Sequence, residues 1–336
     1  MKVTYHPVQM PLRHTFTIAH GSTSVQESFI VELSHNGKSG FGEATANPYY
    51  GVTVPKMTEQ VESVRATIEL GILESPEAFH KAMLATGKLK AFTLCALDLA
   101  FNDLYGKLKG QPLYKLWGLD GSKGPISNYT IGIDTVENMV AKMKEVPWPL
   151  YKIKLGTKED IRIIEELRKQ TDAVFRVDAN CAWGVEETIT NSKALKKLNV
   201  QFIEQPLKAD DLDGMKRVFA ESALPVIADE SCQVEADVDN CFNHFHGINI
   251  KLTKCGGLTP ARRMIARARE LNMSVMMGCM TESSVGISAI AQVVPLLDYV
   301  DMDGALLLAE DPANGVQVTP SGLIFPNENG TGASLK

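Results

Sequence analysis

Eight short apolar runs, all but the first closing on a charged residue or glycine, constrain the fold of this chain more than any other feature. They occupy residues 127–131, 150–154, 173–178, 200–204, 225–229, 247–251, 274–278 and 299–303, and helical stretches separate most of them. Counted from Lys154, the positions Asp178, Glu204, Asp229, Lys251, Gly278 and Asp301 follow at steps of 24, 26, 25, 22, 27 and 23 residues. A strand, a helix and two loops take roughly 25 to 30 residues, so the rhythm is that of a repeated βα unit. Eight such strands predict a (β/α)8-type barrel or a close variant. A doubly wound open sheet needs no eight evenly spaced strands and usually opens on a glycine-rich turn. The chain has neither GxGxxG nor a P-loop.

The residues ahead of the repeat read differently. A strand over 29–33, a turn at Asn36-Gly37 and a second strand over 40–43 predict a hairpin. From about Thr58 the spacing of Val61, Val64, Ile68 and Leu70 predicts a helix. A second helix over 91–105 sets Leu94, Leu97, Asp98 and Phe101 on one face. Residues 106–121 mix glycine, proline and short apolar anchors, as a domain junction does. The expectation is a small α+β unit over 1–120 followed by a barrel over 121–310.

Composition narrows the function classes. The 336 residues are 44% hydrophobic and 22% charged, with a net charge of −6 and no long run of one sign. That balance argues against an electropositive nucleic-acid face. No apolar stretch approaches the roughly 18 residues of a membrane span, and the first residues lack a basic segment followed by an apolar one. Cys95, Cys181, Cys232, Cys241, Cys255 and Cys279 form no CxxC pair, which fits reduced thiols. A cytoplasmic enzyme or small-molecule binder is expected.

In barrels of this kind the chemistry gathers at the C-terminal ends of the strands. Those ends carry Lys152 and Lys154, Asp178, Glu204, Asp229, Lys251, Gly278-Cys279, and Asp301 with Asp303. Asp178, Glu204 and Asp229 close three consecutive strands, and neighbouring strands lie about 4.8 Å apart, so the three carboxylates converge. Charges that close repel unless a cation joins them. An all-oxygen set suits a hard ion such as Mg²⁺, one per subunit. Single acids at strand ends are often solvated or cap the next helix, but three in succession flanked by lysines are poorly explained that way.

Lys152 and Lys154 are two apart on a strand and point to one side. Lys251 ends a strand four units later, on the opposite wall of an eight-stranded barrel. Two amines facing each other across a metal supply one proton acceptor and one donor on opposite faces of a substrate. Free lysine titrates near 10.4, so a base must be brought down towards about 7. The Lys152 ammonium and a divalent ion both push Lys154 that way. Lys254 lies three residues past Lys251, and the strand period favours Lys251.

The ordered motifs Lys152-Ile153-Lys154, Val177-Asp178-Ala179-Asn180, Glu204-Gln205-Pro206, Asp229-Glu230-Ser231 and the segment from Asn249-Ile250-Lys251 to Gly256-Gly257 resemble the enolase superfamily, muconate-lactonising subgroup. The resemblance extends from Gly42-Glu43-Ala44 through Ala96-Leu97-Asp98 and Gly106-Lys107 to Asp301-Met302-Asp303-Gly304, nearly the whole chain. It implies a modified TIM barrel, (β/α)7β, with an α+β capping domain completed by about 311–336. It also implies Mg²⁺ on Asp178, Glu204 and Asp229, with Lys154 and Lys251 as the catalytic acid/base pair. The implied chemistry is removal of the proton α to a carboxylate, with the metal stabilising the charge that develops. A lysine on each face permits a 1,1-proton transfer.

Asp301-Met302-Asp303 narrows the substrate. Spacing of two on a strand aims both carboxylates into the site, away from the metal trio, and two acceptors suit an ammonium. The dipeptide epimerases that the chain resembles use such a pair for the substrate α-ammonium, which implies dipeptide epimerisation with L-Ala-D/L-Glu as the leading substrate. Muconate cycloisomerases and o-succinylbenzoate synthases bind substrates without an ammonium and leave the pair unexplained. N-acylamino acid racemases need the same two lysines and are the nearest alternative. Acid-sugar dehydratases commonly carry a histidine on the seventh strand, whereas all seven histidines here lie at or before His246. Metal-dependent hydrolases usually recruit several histidines, and a non-catalytic binder would not need Lys154 and Lys251. Where Ala-Glu epimerases carry an arginine for the glutamate side chain, this sequence has His20, a weaker carboxylate partner. Thr130, Lys152, Cys279 and Thr281 are expected to touch substrate, and Glu282 is a further acid candidate. The expected assembly is a homo-oligomer acting on a small molecule, with no nucleic acid or membrane partner.

Overall fold

An antiparallel sheet opens the fold, with β1 (Lys2–Ile18), β2 (Gly21–His35) and β3 (Lys38–Thr45) neighbouring one another in that order. The computed structural model describes residues 1–19, 21–71 and 74–336. Asn36 and Gly37 both take left-handed backbone, φ 49° and 71°, and close β2 onto β3 with His35 opposite Lys38. Asn-Gly is the preferred pair for such a tight hairpin. β1 was not foreseen. Its prolines and the register shift between Pro11 and Phe16 break the alternation a strand reading relies on, and prolines are tolerated on the edge of a sheet.

Helices α1 (Val54–Leu70), α2 (Pro76–Ala85), α3 (Ala91–Lys109) and the single turn α4 (Leu113–Leu116) follow. α1 buries Met57, Val61, Val64 and Ile68, but Leu70, part of the expected stripe, is exposed at the helix end. α2, also unforeseen, begins with Ser75 accepting from the Ala78 amide and Pro76 at its first position. α3 is buried nearly all round rather than on one face, because it lies between the sheet and the barrel. β3 can press directly against it. A Cβ on Gly40 or Gly42 would stand 2.3 or 2.1 Å from the carbonyl oxygens of Ala100 and Ala96.

The barrel runs β4 (Tyr129–Ile131), α5 (Val136–Glu145), β5 (Leu150–Lys154), α6 (Asp160–Arg168), β6 (Val174–Asp178), α7 (Val185–Lys197), β7 (Val200–Glu204) and α8 (Leu212–Glu221). It continues through β8 (Val226–Ala228), α9 (Glu235–Cys241), β9 (Gly247–Lys251), the short α10 (Leu252–Cys255), α11 (Leu258–Glu270), β10 (Ser274–Gly278), α12 (Ser284–Ala291) and β11 (Tyr299–Asp301). The eight strands are parallel and ordered by sequence, and a bridge between Ser127 and Val300 brings the two ends of the sheet together. Eight strands with seven helical crossovers make the modified (β/α)7β barrel. Ile153, Val177, Ile248 and Ile250 face outward into the core shared with the helices.

Inside, two tiers alternate by the strand period of two. Phe202, Ile227, Met276 and Tyr299 fill much of the lower tier, with the Arg176 guanidinium 5.3 and 5.0 Å from the Phe202 and Tyr299 rings. The upper tier, two residues further on, opens towards the sheet and helices of the N-terminal unit. The C-terminal segment returns to that unit. Thr331 donates its amide to Asp103 of α3, and Ala313 and Ala333 pack with Ile30 and Val285. Among the described residues, no helix is long and apolar enough to cross a membrane.

Candidate active site

A cavity of about 600 Å³ lies where the upper barrel tier meets the N-terminal sheet. Its barrel side includes Thr130, Lys154, Asn180, Glu230, Lys251, Cys279, Thr281, Asp301 and Asp303, and its other side includes Phe16, Ile18, Thr23, Gln26 and Tyr50. Beneath it, Asp178 ends β6, Glu204 ends β7 and Asp229 follows β8. One oxygen from each lies within 4.8 Å of the others, and all three residues are buried.

Lys154 donates to Asp178 Oδ2 at 2.7 Å, and across the barrel Lys251 donates to Asp229 Oδ2 at 2.8 Å. Lys152, on the tier below, lies 3.1 Å from Asp178, 2.8 Å from Glu204 and 2.9 Å from Asp301. Burial opposes ionisation of Asp178 and Asp229, but Lys154 and Lys152 around the first, and Lys251 and Lys254 around the second, hold both below the usual carboxylate range. Glu204 goes the other way, pushed up to about 8 by burial and the neighbouring Asp178 charge. For Lys251, burial pulls down, and the Asp229 carboxylate outweighs it and raises the ammonium well above its ordinary value.

The trio fits a hard divalent cation. All its donors are oxygens, and Glu204 Oε2 is buried without a well-formed hydrogen bond although the Lys152 ammonium lies 2.8 Å away. Two crowded carboxylates beside a third whose proton affinity is raised describe negative charge that the lysines alone do not satisfy.

Several expectations are refined. Lys152, grouped with the substrate contacts, is 1% exposed and does not line the cavity; it braces three carboxylates from below. Asp303 does not continue the strand. β11 ends at Asp301, and Asp303 stands at the start of a 3₁₀ turn, Gly304–Leu307. Both carboxylates reach the cavity nonetheless. Asp301 accepts from Asn128 Nδ2 at 2.7 Å and Lys152 at 2.9 Å, while Asp303 accepts from the Thr130 amide at 2.6 Å and its hydroxyl at 3.2 Å. Burial and the adjacent Asp301 raise Asp303 well above a normal carboxyl. Burial, with Asp301 and Asp303 beside it, keeps Cys279 a thiol. Thr281 lies on the cavity wall, whereas Glu282 is buried behind it, accepting the Met280 amide at 2.8 Å. Lys254 is buried on Asp229 and the Cys232 carbonyl, away from the cavity. His20 lies outside the described residues.

Residues 134–336 match the family described as enolase C-terminal domain-like, and residues 1–118 match the mandelate racemase / muconate lactonizing enzyme N-terminal domain. The chain belongs to the enolase superfamily. A relative from Flavobacterium johnsoniae named L-Ala-D/L-amino acid epimerase is 58% identical, with 100% of both chains covered. One from Bacteroides thetaiotaomicron named L-Ala-D/L-Glu epimerase is 40% identical over 95% of this chain and 84% of its own. Among solved structures, a dipeptide epimerase from Enterococcus faecalis complexed with Mg and L-Leu-L-Tyr superposes with a TM-score of 0.91 at 30% identity, covering 99% of each chain.

In this enolase-superfamily site, four supporting residues had no role assigned from the sequence, although Asn249 and Gln205 stand within its motifs. Asn128 holds Asp301; Asn249 donates to Glu204 Oε1 at 2.8 Å; and Arg176 reaches the Val300 carbonyl at 3.1 Å and Asn128 Oδ1 at 3.3 Å. Each stands two residues before a site residue, so the strand period that located Lys152 would have found them. Gln205, in left-handed backbone at φ 34°, accepts from the Asp229 amide at 2.9 Å and the Ser231 amide at 3.1 Å. It thereby fixes the β8 end from the β7 end, and no local pattern announces that.

Proposed function

We propose that the cavity takes a dipeptide and that the protein inverts the α-carbon of its C-terminal residue, as a dipeptide epimerase. One observation carries the reading: Lys154 and Lys251 stand on opposite walls above the carboxylate trio, with Asp301 and Asp303 on the same cavity surface. Asp301 and Asp303 bind the substrate ammonium, which neutralises the crowded pair. Asp178, Glu204 and Asp229 hold one Mg²⁺, consistent with the magnesium in the Enterococcus complex. When bound, the ion would supply positive charge to the oxyanion that develops on the substrate and offset the carboxylate charge, which at Asp229 raises the Lys251 ammonium. One lysine, as the free amine, takes the Cα proton, and the C–H electron pair passes into the adjacent carboxyl group. The ammonium of the other lysine returns a proton to the opposite face, and the carbon is inverted.

The relatives' names support L-alanine as the first residue. For the second residue, the described lining from the N-terminal sheet, Phe16, Ile18, Thr23 and Gln26, is uncharged. That favours a range of neutral side chains over glutamate alone, in keeping with the name of the 58% identical relative. N-acylamino acid racemisation, cycloisomerisation and o-succinylbenzoate synthesis leave the aspartate pair without an ammonium. The working unit is the barrel over 121–310 under a cap of 1–120 and 311–336, and six free cysteines fit a reducing, cytoplasmic setting.

The test is a dipeptide library in D₂O with Mg²⁺, read by mass spectrometry. L-Ala-X dipeptides should gain one mass unit at the C-terminal α-carbon. Lys154→Ala and Lys251→Ala should each slow epimerisation by about 10⁴-fold, while each leaves exchange of the epimer that the remaining lysine serves. Exchange confined to N-acylamino acids would overturn the assignment.

A further inference from the structure

We infer that Asp98, on the cap helix α3, is a positioning residue for Lys251. The inference rests on the epimerase reading above and adds a residue that touches neither substrate nor metal ligand.

Lys251 is the last residue of β9 and the residue before the one-turn helix α10, so its backbone direction is set by how that turn closes. Both Gly256 and Gly257 donate their amides to the Leu252 carbonyl, at 3.0 and 2.9 Å. They do so with φ of +96° and +122°, a conformation that side chains larger than glycine strongly resist. The turn then passes straight into α11, whose preceding residue, Gly257, has no side chain to cap it. The first amides of a helix need acceptors, and here the acceptor comes from another part of the molecule. Asp98 Oδ2 accepts the Thr259 amide at 3.0 Å across 161 residues of sequence. Asn102, one turn along α3, donates to the same Asp98 oxygen at 3.2 Å and to the Thr259 hydroxyl at 3.3 Å.

The fit leaves no slack. A Cβ on Gly257 would stand 2.3 Å from Asp98 Oδ2. Asp98 is fully buried, and its carboxyl faces the amino end of α11; burial pushes it up to about 7, against the pull of the Thr259 hydrogen bonds. The segment from Lys251 to Thr259 is therefore pinned twice: Lys254 ties it to Asp229 and the Cys232 carbonyl within the barrel, and Asp98 ties its far end to the cap. Lys154, by contrast, pairs with Asp178 on β6, and among the described residues no hydrogen bond from the cap holds the turn that follows it. The two lysines differ in what holds them, which makes the inference testable one face at a time.

Each epimer of a dipeptide offers its α-hydrogen to one lysine, so deuterium exchange into the two epimers reports the lysines separately. Lys251→Ala identifies the epimer that Lys251 serves. Asp98→Ala should then slow kcat for exchange of that epimer by about tenfold or more, while the Lys154-facing epimer changes by about twofold at most, because small misplacements of a reacting group are costly. Asp98→Asn, whose side-chain oxygen still accepts from Thr259, should recover the rate to within about threefold of the parent. Should Asp98→Ala fail to fold, Asn102→Ala, which removes the brace on the Asp98 carboxylate, should give the same asymmetry at smaller size. Equal losses for both epimers, or no loss for either, would overturn the inference. Absence of exchange in the parent enzyme would instead sink the epimerase reading itself.

Discussion

The two walls of the cavity are built on opposite principles. On the barrel wall most charged groups are buried and cross-linked: Lys152 serves three carboxylates, Asp301 accepts from Asn128 and Lys152, and Asp229 is held by Lys251, Lys254 and Gln205. On the opposite wall, Phe16, Ile18 and Thr23 sit at the tip of the β1–β2 hairpin, where Phe16 pairs with Thr23 and Ile18 with Gly21 through backbone alone. None of these tip side chains is buried. A closed network holds reacting groups to the tolerance that proton transfer demands. An open hairpin tip can change its side chains without disturbing that network, which separates what the enzyme does from what it selects.

Breaking the shared wall should therefore cost far more than editing the open one. Asp303→Asn is the sharpest cut, since the Asp303 carboxyl is held by Thr130 and by its neighbour Asp301 and, among the described residues, by no lysine directly. It should lower kcat/KM for dipeptides by about 10²-fold, the cost of removing one partner of a buried charge pair, with little change in Tm. Asp301→Asn should lose at least as much and also lower Tm, because Lys152 and Asn128 lose a shared acceptor. Paired steady-state and melting measurements distinguish the two. If Asp303→Asn left dipeptide turnover intact, the ammonium subsite would lie elsewhere.

The barrel wall was also the more legible of the two. The strands 150–154, 200–204, 247–251 and 274–278 have the boundaries that the sequence reading predicts, because a barrel strand declares itself by outward apolar residues alternating with inward ones and by a polar residue where it meets solvent. The same alternation would have revealed Asn128, Arg176 and Asn249. It misled for Asp303, since a spacing of two describes a strand only as far as the strand continues. β1 and α2 were lost for a different reason: an edge strand carrying prolines has little periodicity, and α2 buries only Phe79, His80 and Met83. The Asp98 to Thr259 bond joins parts of the chain that only the folded barrel brings together, so no local pattern could announce it.

Editing the open wall tests selection directly. Ile18→Arg puts a cation on the hairpin tip beside the uncharged lining. It should raise kcat/KM for L-Ala-L-Glu over L-Ala-L-Val by about tenfold, a complementary charge in a partly enclosed site, while exchange of the valine dipeptide stays within about threefold. An equal fall for both dipeptides would mean that the tip serves the chemistry after all, and the contrast between the walls would collapse.

The seam between the walls gives the smallest effect. Glu43 of β3 accepts from Ser28, from the amides of Ser283 and Gly286, and from the Ser283 hydroxyl, all around the start of α12. Beside it Glu282 is buried, and its carboxyl is pushed up to about 8 by burial and then by the Glu43 charge. A carboxyl whose folded value is raised binds its proton more tightly folded than unfolded. Its contribution to stability is complete below its ordinary value near 4.5 and is lost as the pH rises through about 8. Glu282→Gln keeps a neutral group of the same shape and cannot ionise. Its melting temperature relative to the parent should therefore rise between pH 5.5 and pH 8.5 by roughly 5 °C. A pH-independent difference would mean that Glu282 is already charged in the folded protein, and that the seam tolerates two adjacent carboxylates as the carboxylate trio below it does only with its lysines.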